Sequence, residues 1–131
     1  MITTFSVKDD IVFLLGDGEV EIPEPIGVVC ATPTVLSIMC TPATDGQTIV
    51  SVLDYSEVPN TKEIFELFNG FINFATREAT ISGPLDQPYW RGKVSELKSR
   101  VRVFVDDPDE AEHVWICINT IESFATGFLP D

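Results

Sequence analysis

Turn-forming residues cut this chain into short apolar segments, and that punctuation favours a fold built from many short strands. Ile11-Val12-Phe13-Leu14-Leu15 ends at Gly16-Asp17-Gly18, after which Glu19-Val20-Glu21-Ile22 alternates apolar with acidic residues. Alternation of period two marks a half-exposed strand, and Asp-Gly is a favoured hairpin turn. The two segments are therefore expected to pair. Pro23 and Pro25 stop the second, because proline cannot donate to a ladder. Gly27 to Ala31 is expected as a separate short strand or edge segment, cut off by Pro33. Residues 35–40 and 48–54 are rich in β-branched side chains and flank a loop of turn formers, so they predict a second hairpin.

One segment departs from this pattern. Ile64, Leu67, Phe68, Phe71, Ile72 and Ala75 recur at helical spacing, while Lys62, Glu66, Asn69, Asn73 and Thr76 take the opposite face. Asn60 followed by Glu63 imitates a capping box. Asn69-Gly70 competes as a hairpin signal, but the periodicity covers more residues. The pattern predicts an amphipathic helix near 61–75. The expected fold class is thus α+β: a predominantly antiparallel sheet or sandwich covered by that helix.

The last third begins with residues 82–92, where Gly83, Pro84, Pro88 and Gly92 suggest irregular chain. Val101, Val103 and Val105 then alternate with Arg100, Arg102 and Phe104, and an acidic turn leads into an apolar strand over 113–121. The expected register places Val105 opposite Glu112, Val103 opposite Val114 and Val101 opposite Ile116. On the other face it sets Arg102 against Trp115, Phe104 against His113 and Arg100 against Cys117.

A chain of 131 residues with 44% hydrophobic side chains is large and apolar enough for one core, and residues 1–131 are expected to form a single compact domain. No apolar run approaches the ~18 residues of a membrane span. The N-terminus lacks a basic and then apolar leader, so a cytoplasmic location is expected. Cys30, Cys40 and Cys117 each sit in apolar surroundings and read as free, buried thiols. With one histidine and no Cys-x-x-Cys pair, neither a metal site nor a cofactor is expected. His113 and Cys117 lie four residues apart on one strand, about 13 Å at 3.3 Å per residue, too far for a nucleophile–base pair. No catalytic residues are assigned.

Charge is the most unusual property. The net charge is −13: residues 1–60 hold nine acids and one base, residues 61–105 five acids and seven bases, and residues 106–131 seven acids and no base. Nucleic-acid binding calls for clustered cations, so nucleic acid is not an expected partner; nor is a membrane. A field of this sign attracts basic proteins. The expectation is an acidic binding protein that inhibits or masks a basic partner such as a toxin or nuclease, in the manner of immunity proteins or phage-encoded inhibitors, rather than an enzyme.

The acids assigned to that contact are Asp17, Glu19, Glu21 and Glu24, with Asp106, Asp107, Asp109, Glu110 and Glu112. Trp90, Arg91, Arg100, Arg102 and Trp115 form a second candidate, an aromatic-basic patch, because Trp, Tyr and Arg dominate binding hot spots. Two other readings stand beside this one. One is a small-molecule-binding or enzymatic domain whose pocket is lined by Phe65, Phe68, Phe71, Phe74, Tyr89 and Trp90. The other is an oligomeric structural component.

Overall fold

The computed structural model describes residues 3–16, 21–24, 27–40, 47–57, 59, 64–84, 88–109 and 111–125, with side chains as far as 121. Among these residues every regular element is a strand: β1 (Thr3–Val7), β2 (Ile11–Gly16), β3 (Val29–Ala31), β4 (Val35–Met39), β5 (Thr48–Leu53), β6 (Phe65–Asn73), β7 (Glu78–Ser82), β8 (Pro88–Val94), β9 (Lys98–Val105), β10 (His113–Ile118) and β11 (Thr120–Ala125). They make a five-stranded sheet, β1-β5-β10-β9-β6, and a six-stranded sheet, β11-β8-β7-β2-β4-β3. All pairings are antiparallel except that of β5 with β10.

The sheets share one core. The five-stranded sheet contributes Phe5, Val50, Val103, Val114 and Ile116, and the six-stranded sheet contributes Val12, Leu14, Ile38, Ile81 and Trp90. Phe5 of β1 stacks on Tyr89 of β8 at 5.9 Å between ring centroids, tying one sheet to the other. Each fully buried branched or aromatic side chain contributes roughly 1.5–3 kcal/mol, so this seam dominates the fold's stability. Cys30, Cys40 and Cys117 are free and buried, as the sequence predicts.

The predicted helix is a strand over its described residues, so the described fold is all-β rather than α+β. β6 runs straight through Asn69-Gly70 and pairs with β9 along its whole length, which removes the competing hairpin as well. A register shift between Glu66 and Phe68 leaves Leu67 as the extra residue of a bulge. The bulge explains the misleading period. Adjacent Leu67 and Phe68 both pack against the core, followed inward by Gly70, Ile72 and Phe74, and this break in strict alternation imitates a helical face. The outward Phe71 then completes the imitation. Gly70 penalises a helix by about 1 kcal/mol relative to alanine, whereas here its missing side chain makes room for Phe68, whose ring would lie 2.9 Å from any Cβ. The expected capping residues 60–63 lie outside the described residues.

Both predicted hairpins of the first half are also replaced. β2 has β4 on one edge and β7 on the other, so no edge remains for Glu21 and Ile22, which form no strand. Residues 17–20, where that turn was expected, lie outside the described residues. β4 and β5 belong to different sheets, so the chain between them crosses the sandwich rather than folding back. The short segment ending at Ala31 is indeed an edge strand, β3. Residues 88–92, expected to be irregular, are the start of β8.

The C-terminal pair, β9 with β10, forms with a register two residues from the expected one. Val105 faces Val114, Val103 faces Ile116 and Val101 faces Ile118. A slip of two preserves which face each side chain takes, whereas a slip of one would reverse it. The valines therefore lie in the core as expected, but the outward partners change: Phe104 faces Trp115 and Arg102 faces Cys117.

Candidate functional site

Alternation along β9 and β10 sends Lys98, Arg100, Arg102 and Phe104, with His113, Trp115 and Cys117, to the outer face of the five-stranded sheet. β6 adds Glu66, Asn69 and Phe71 to the same face through its pairing with β9. Leu53, Phe104 and Cys117 make a small second apolar cluster there, flanked by Ile64 and Trp115. The chain leaving β5 lies across this cluster: Tyr55 N donates to Asn119 Oδ1 at 2.9 Å, and Cys117 Sγ donates to the Glu57 carbonyl at 3.2 Å. Burial pushes the Cys117 thiol up to about 11, with the Arg102 charge opposing that shift.

Over this base the cations lie against aromatic rings. Arg102 is 4.8 Å from the Phe104 ring and 5.8 Å from that of Tyr55. Arg100 sits between Tyr55, at 5.8 Å, and Phe71, at 5.7 Å. Lys98 is 5.2 Å from Phe71. Among the described residues Arg102 alone is neutralised, by Glu66 at 2.6 Å. Arg100 Nε donates to Asn69 Oδ1 at 3.0 Å, and neither Arg100 nor Lys98 pairs with a carboxylate among the described residues. A cleft of about 180 Å³ opens between Tyr55, Phe71, Arg100, Ser95 and Asn119, with Glu96 as the one acid lining it.

The predicted patch is therefore divided. Arg100, Arg102 and Trp115 share the outer face of the five-stranded sheet. Arg91 lies on the outer face of the other sheet, and Trp90 is wholly buried in the core. Trp115 stacks on His113 at 4.0 Å instead of meeting Arg102. Sequence reasoning missed Tyr55, which no local pattern connects to β9, and assigned Phe71 to a helix face.

The acids are carried by separate parts of the fold. Asp17, Glu19 and Glu110 lie outside the described residues. Glu21 and Glu24 are exposed beside the β3–β4 turn, where Glu21 N donates to Thr34 Oγ1 at 3.0 Å and its carbonyl accepts from Thr32 Oγ1. Asp107, Asp109 and Glu112 are exposed on the turn between β9 and β10. Two carboxylates of that turn organise it. Asp106 Oδ1 accepts from the backbone N–H groups of Glu112 and His113 at 3.0 and 3.1 Å, and Asp107 Oδ1 accepts from Asp109 N at 2.8 Å. Asp109 and Glu112 are thus the side chains presented outward without such a duty in the turn.

Next to this turn, Ser51 Oγ lies 3.0 Å from both His113 Nε2 and Thr4 Oγ1. Burial lowers the His113 pKa below its ordinary value, and the nearby Asp106 charge offsets part of that shift. The pair has the separation of a nucleophile and base, but Ser51 is buried. The aromatics expected to line one pocket are divided instead: Phe74, Tyr89 and Trp90 fill the core, and Phe65 and Phe71 are exposed. A shallow groove of about 330 Å³ lies along β3, between Pro23 and Ala31. Among the described residues no group of three His, Cys, Asp or Glu side chains could hold a metal ion, and no helix is long and apolar enough to cross a membrane.

Two packed, predominantly antiparallel sheets define a β-sandwich. The chain is similar in fold to ComJ of Bacillus subtilis, the inhibitor of the DNA degrading activity of NucA. The two superpose with a TM-score of 0.54 and 9% sequence identity, over 92% of this chain and 96% of ComJ. The sequence matches no family model and no curated protein.

Proposed function

We propose that this protein binds and inhibits a nuclease with a basic surface, acting in the cytoplasm by occlusion rather than by chemistry of its own. The observation that carries the reading is the near end-to-end likeness in fold to an inhibitor of a DNA-degrading enzyme. The charge of −13 supports it independently. A nuclease active site must attract phosphates, so a compact polyanion is drawn to the same surface, and complementary charge speeds the encounter. Exposed Asp109 and Glu112 beside one sheet, and Glu21 and Glu24 beside the other, supply part of that charge.

The test is a titration of the protein into plasmid-degradation assays with NucA, a panel of basic endonucleases, and one acidic nuclease as control. Stoichiometric inhibition of a basic enzyme is expected, weakening several-fold between about 50 and 300 mM salt as screening shortens the electrostatic range. Undiminished cleavage across the panel at low salt would sink the proposal.

A further inference from the structure

We infer that the outer face of β6 and β9 is the docking surface, and that the partner places an acidic side chain against Arg100. This rests on the nuclease-binding reading above and names the face through which it works. The chain has 21 acids and 8 bases, yet among the described residues Arg102 alone forms an ion pair. Its partner is Glu66. Two strand positions earlier, Arg100 meets the Asn69 amide and two ring faces, and Lys98 the Phe71 ring, with no carboxylate partner for either among the described residues. Glu96 lines the adjoining cleft but forms no ion pair with Arg100.

The guanidinium is therefore held in place by its Nε and by two aromatic faces, while its terminal N–H groups have no protein acceptor among the described residues. That arrangement is preorganised for a carboxylate, which guanidinium recognises through two parallel hydrogen bonds. The cleft beside it, at about 180 Å³, has room for one side chain, and Ser95 and Asn119 offer further hydrogen-bonding groups. Phe71 is 50% exposed at the edge of the cleft, a large apolar area that a partner would remove from water.

The surroundings complete an interface. About 13 Å beyond Arg102 along β9, at 3.3 Å per residue, begins the acidic turn with Asp107, Asp109 and Glu112. An aromatic-arginine centre bordered by charged residues is the common anatomy of a protein-binding site. The acidic border steers a basic protein in, and the centre holds one of its carboxylates. A second copy of this chain is disfavoured as occupant, because two bodies of charge −13 repel.

The experiment measures inhibition and dissociation rate against the panel nuclease that the wild-type protein inhibits most tightly. It compares Arg100→Glu and Phe71→Ala with Lys93→Glu, which makes the same charge change on the exposed face of β8 in the other sheet. Arg100→Glu and Phe71→Ala are expected to weaken inhibition roughly tenfold or more, chiefly by faster dissociation, as hot-spot changes do. Lys93→Glu should stay within about twofold, the size of a rim-charge effect. Thermal unfolding of each variant separates lost contact from lost fold. Wild-type-like inhibition by folded Arg100→Glu, or an equal loss in Lys93→Glu, overturns the docking face and leaves the nuclease-binding reading standing. A wild-type protein that inhibits no nuclease removes both.

Discussion

His113 shows how one residue couples the fold to pH. Its imidazole is partly buried between Trp115 and the Ser51 hydroxyl, and burial lowers its pKa despite the neighbouring Asp106. A histidine with a lowered folded-state pKa binds its proton less readily when folded than when unfolded. Between that lowered value and the unfolded value of about 6.5 the unfolded chain holds more protons, so stability falls as pH drops through this window. Wild-type Tm is expected to fall more between about pH 7.5 and 5.5 than the Tm of His113→Gln, measured in the same buffers. Equal losses would show that the histidine does not contribute. The thiols behave differently. Burial pushes Cys40 up to about 12, so it remains a protonated, inert part of the interior.

At the scale of elements, the connections decide more than the strands do. The chain passes from β6 in one sheet to β7 in the other through a tight turn, in which Arg77 N donates to the Phe74 carbonyl at 3.0 Å. Arg77 takes φ of 61°, the left-handed region that a side chain with a Cβ resists. Arg77 is exposed, but its backbone carbonyl accepts from Val94 N at 2.8 Å and fixes the turn against β8. Arg77→Gly should therefore stabilise the protein by about 0.5–1 kcal/mol, part of the strain relief being offset by the greater freedom of glycine when unfolded. Chemical denaturation reads this as a higher midpoint with an unchanged slope. A lower midpoint would mean that the arginine side chain makes a contribution larger than the backbone strain.

Across the whole molecule, the distribution of charge separates steering from holding. Asp106 and Asp107 organise their turn through backbone hydrogen bonds, so changing them disturbs structure along with charge. Asp109→Asn with Glu112→Gln removes two charges from exposed side chains and avoids that difficulty. With a basic nuclease partner, the double variant should associate a few-fold more slowly at low salt, with little change in dissociation. Its rate should converge on wild type above about 0.5 M salt, where the Debye length falls below the size of a side chain. Stopped-flow mixing measures both rates, and an unchanged association rate at low salt would take this turn out of the encounter.

The sequence by itself determined the short-strand character of the chain, the edge strand ending at Ala31, the burial of the three cysteines and the facing of β9 against β10. Each follows from local alternation or from the chemistry of single side chains, which act over a few residues. It did not determine β6, where a bulge at Leu67 produced a helical period inside a strand and the need of β9 for a partner overrode it. Nor did it determine which strands pair. Asp17-Gly18 and the loop after Cys40 carry turn signals, but a turn signal does not say whether the chain returns to the same sheet or crosses to the other. That choice depends on which edges the remaining strands occupy. The candidate face was half legible for the same reason: Lys98, Arg100 and Arg102 stand out in β9, while Tyr55 and Phe71 come from distant segments that only the packed sandwich brings beside them. In β9 and β10 local sequence set the direction of the side chains, and tertiary structure chose their neighbours, because pairing energy is shared among strands far apart in the chain.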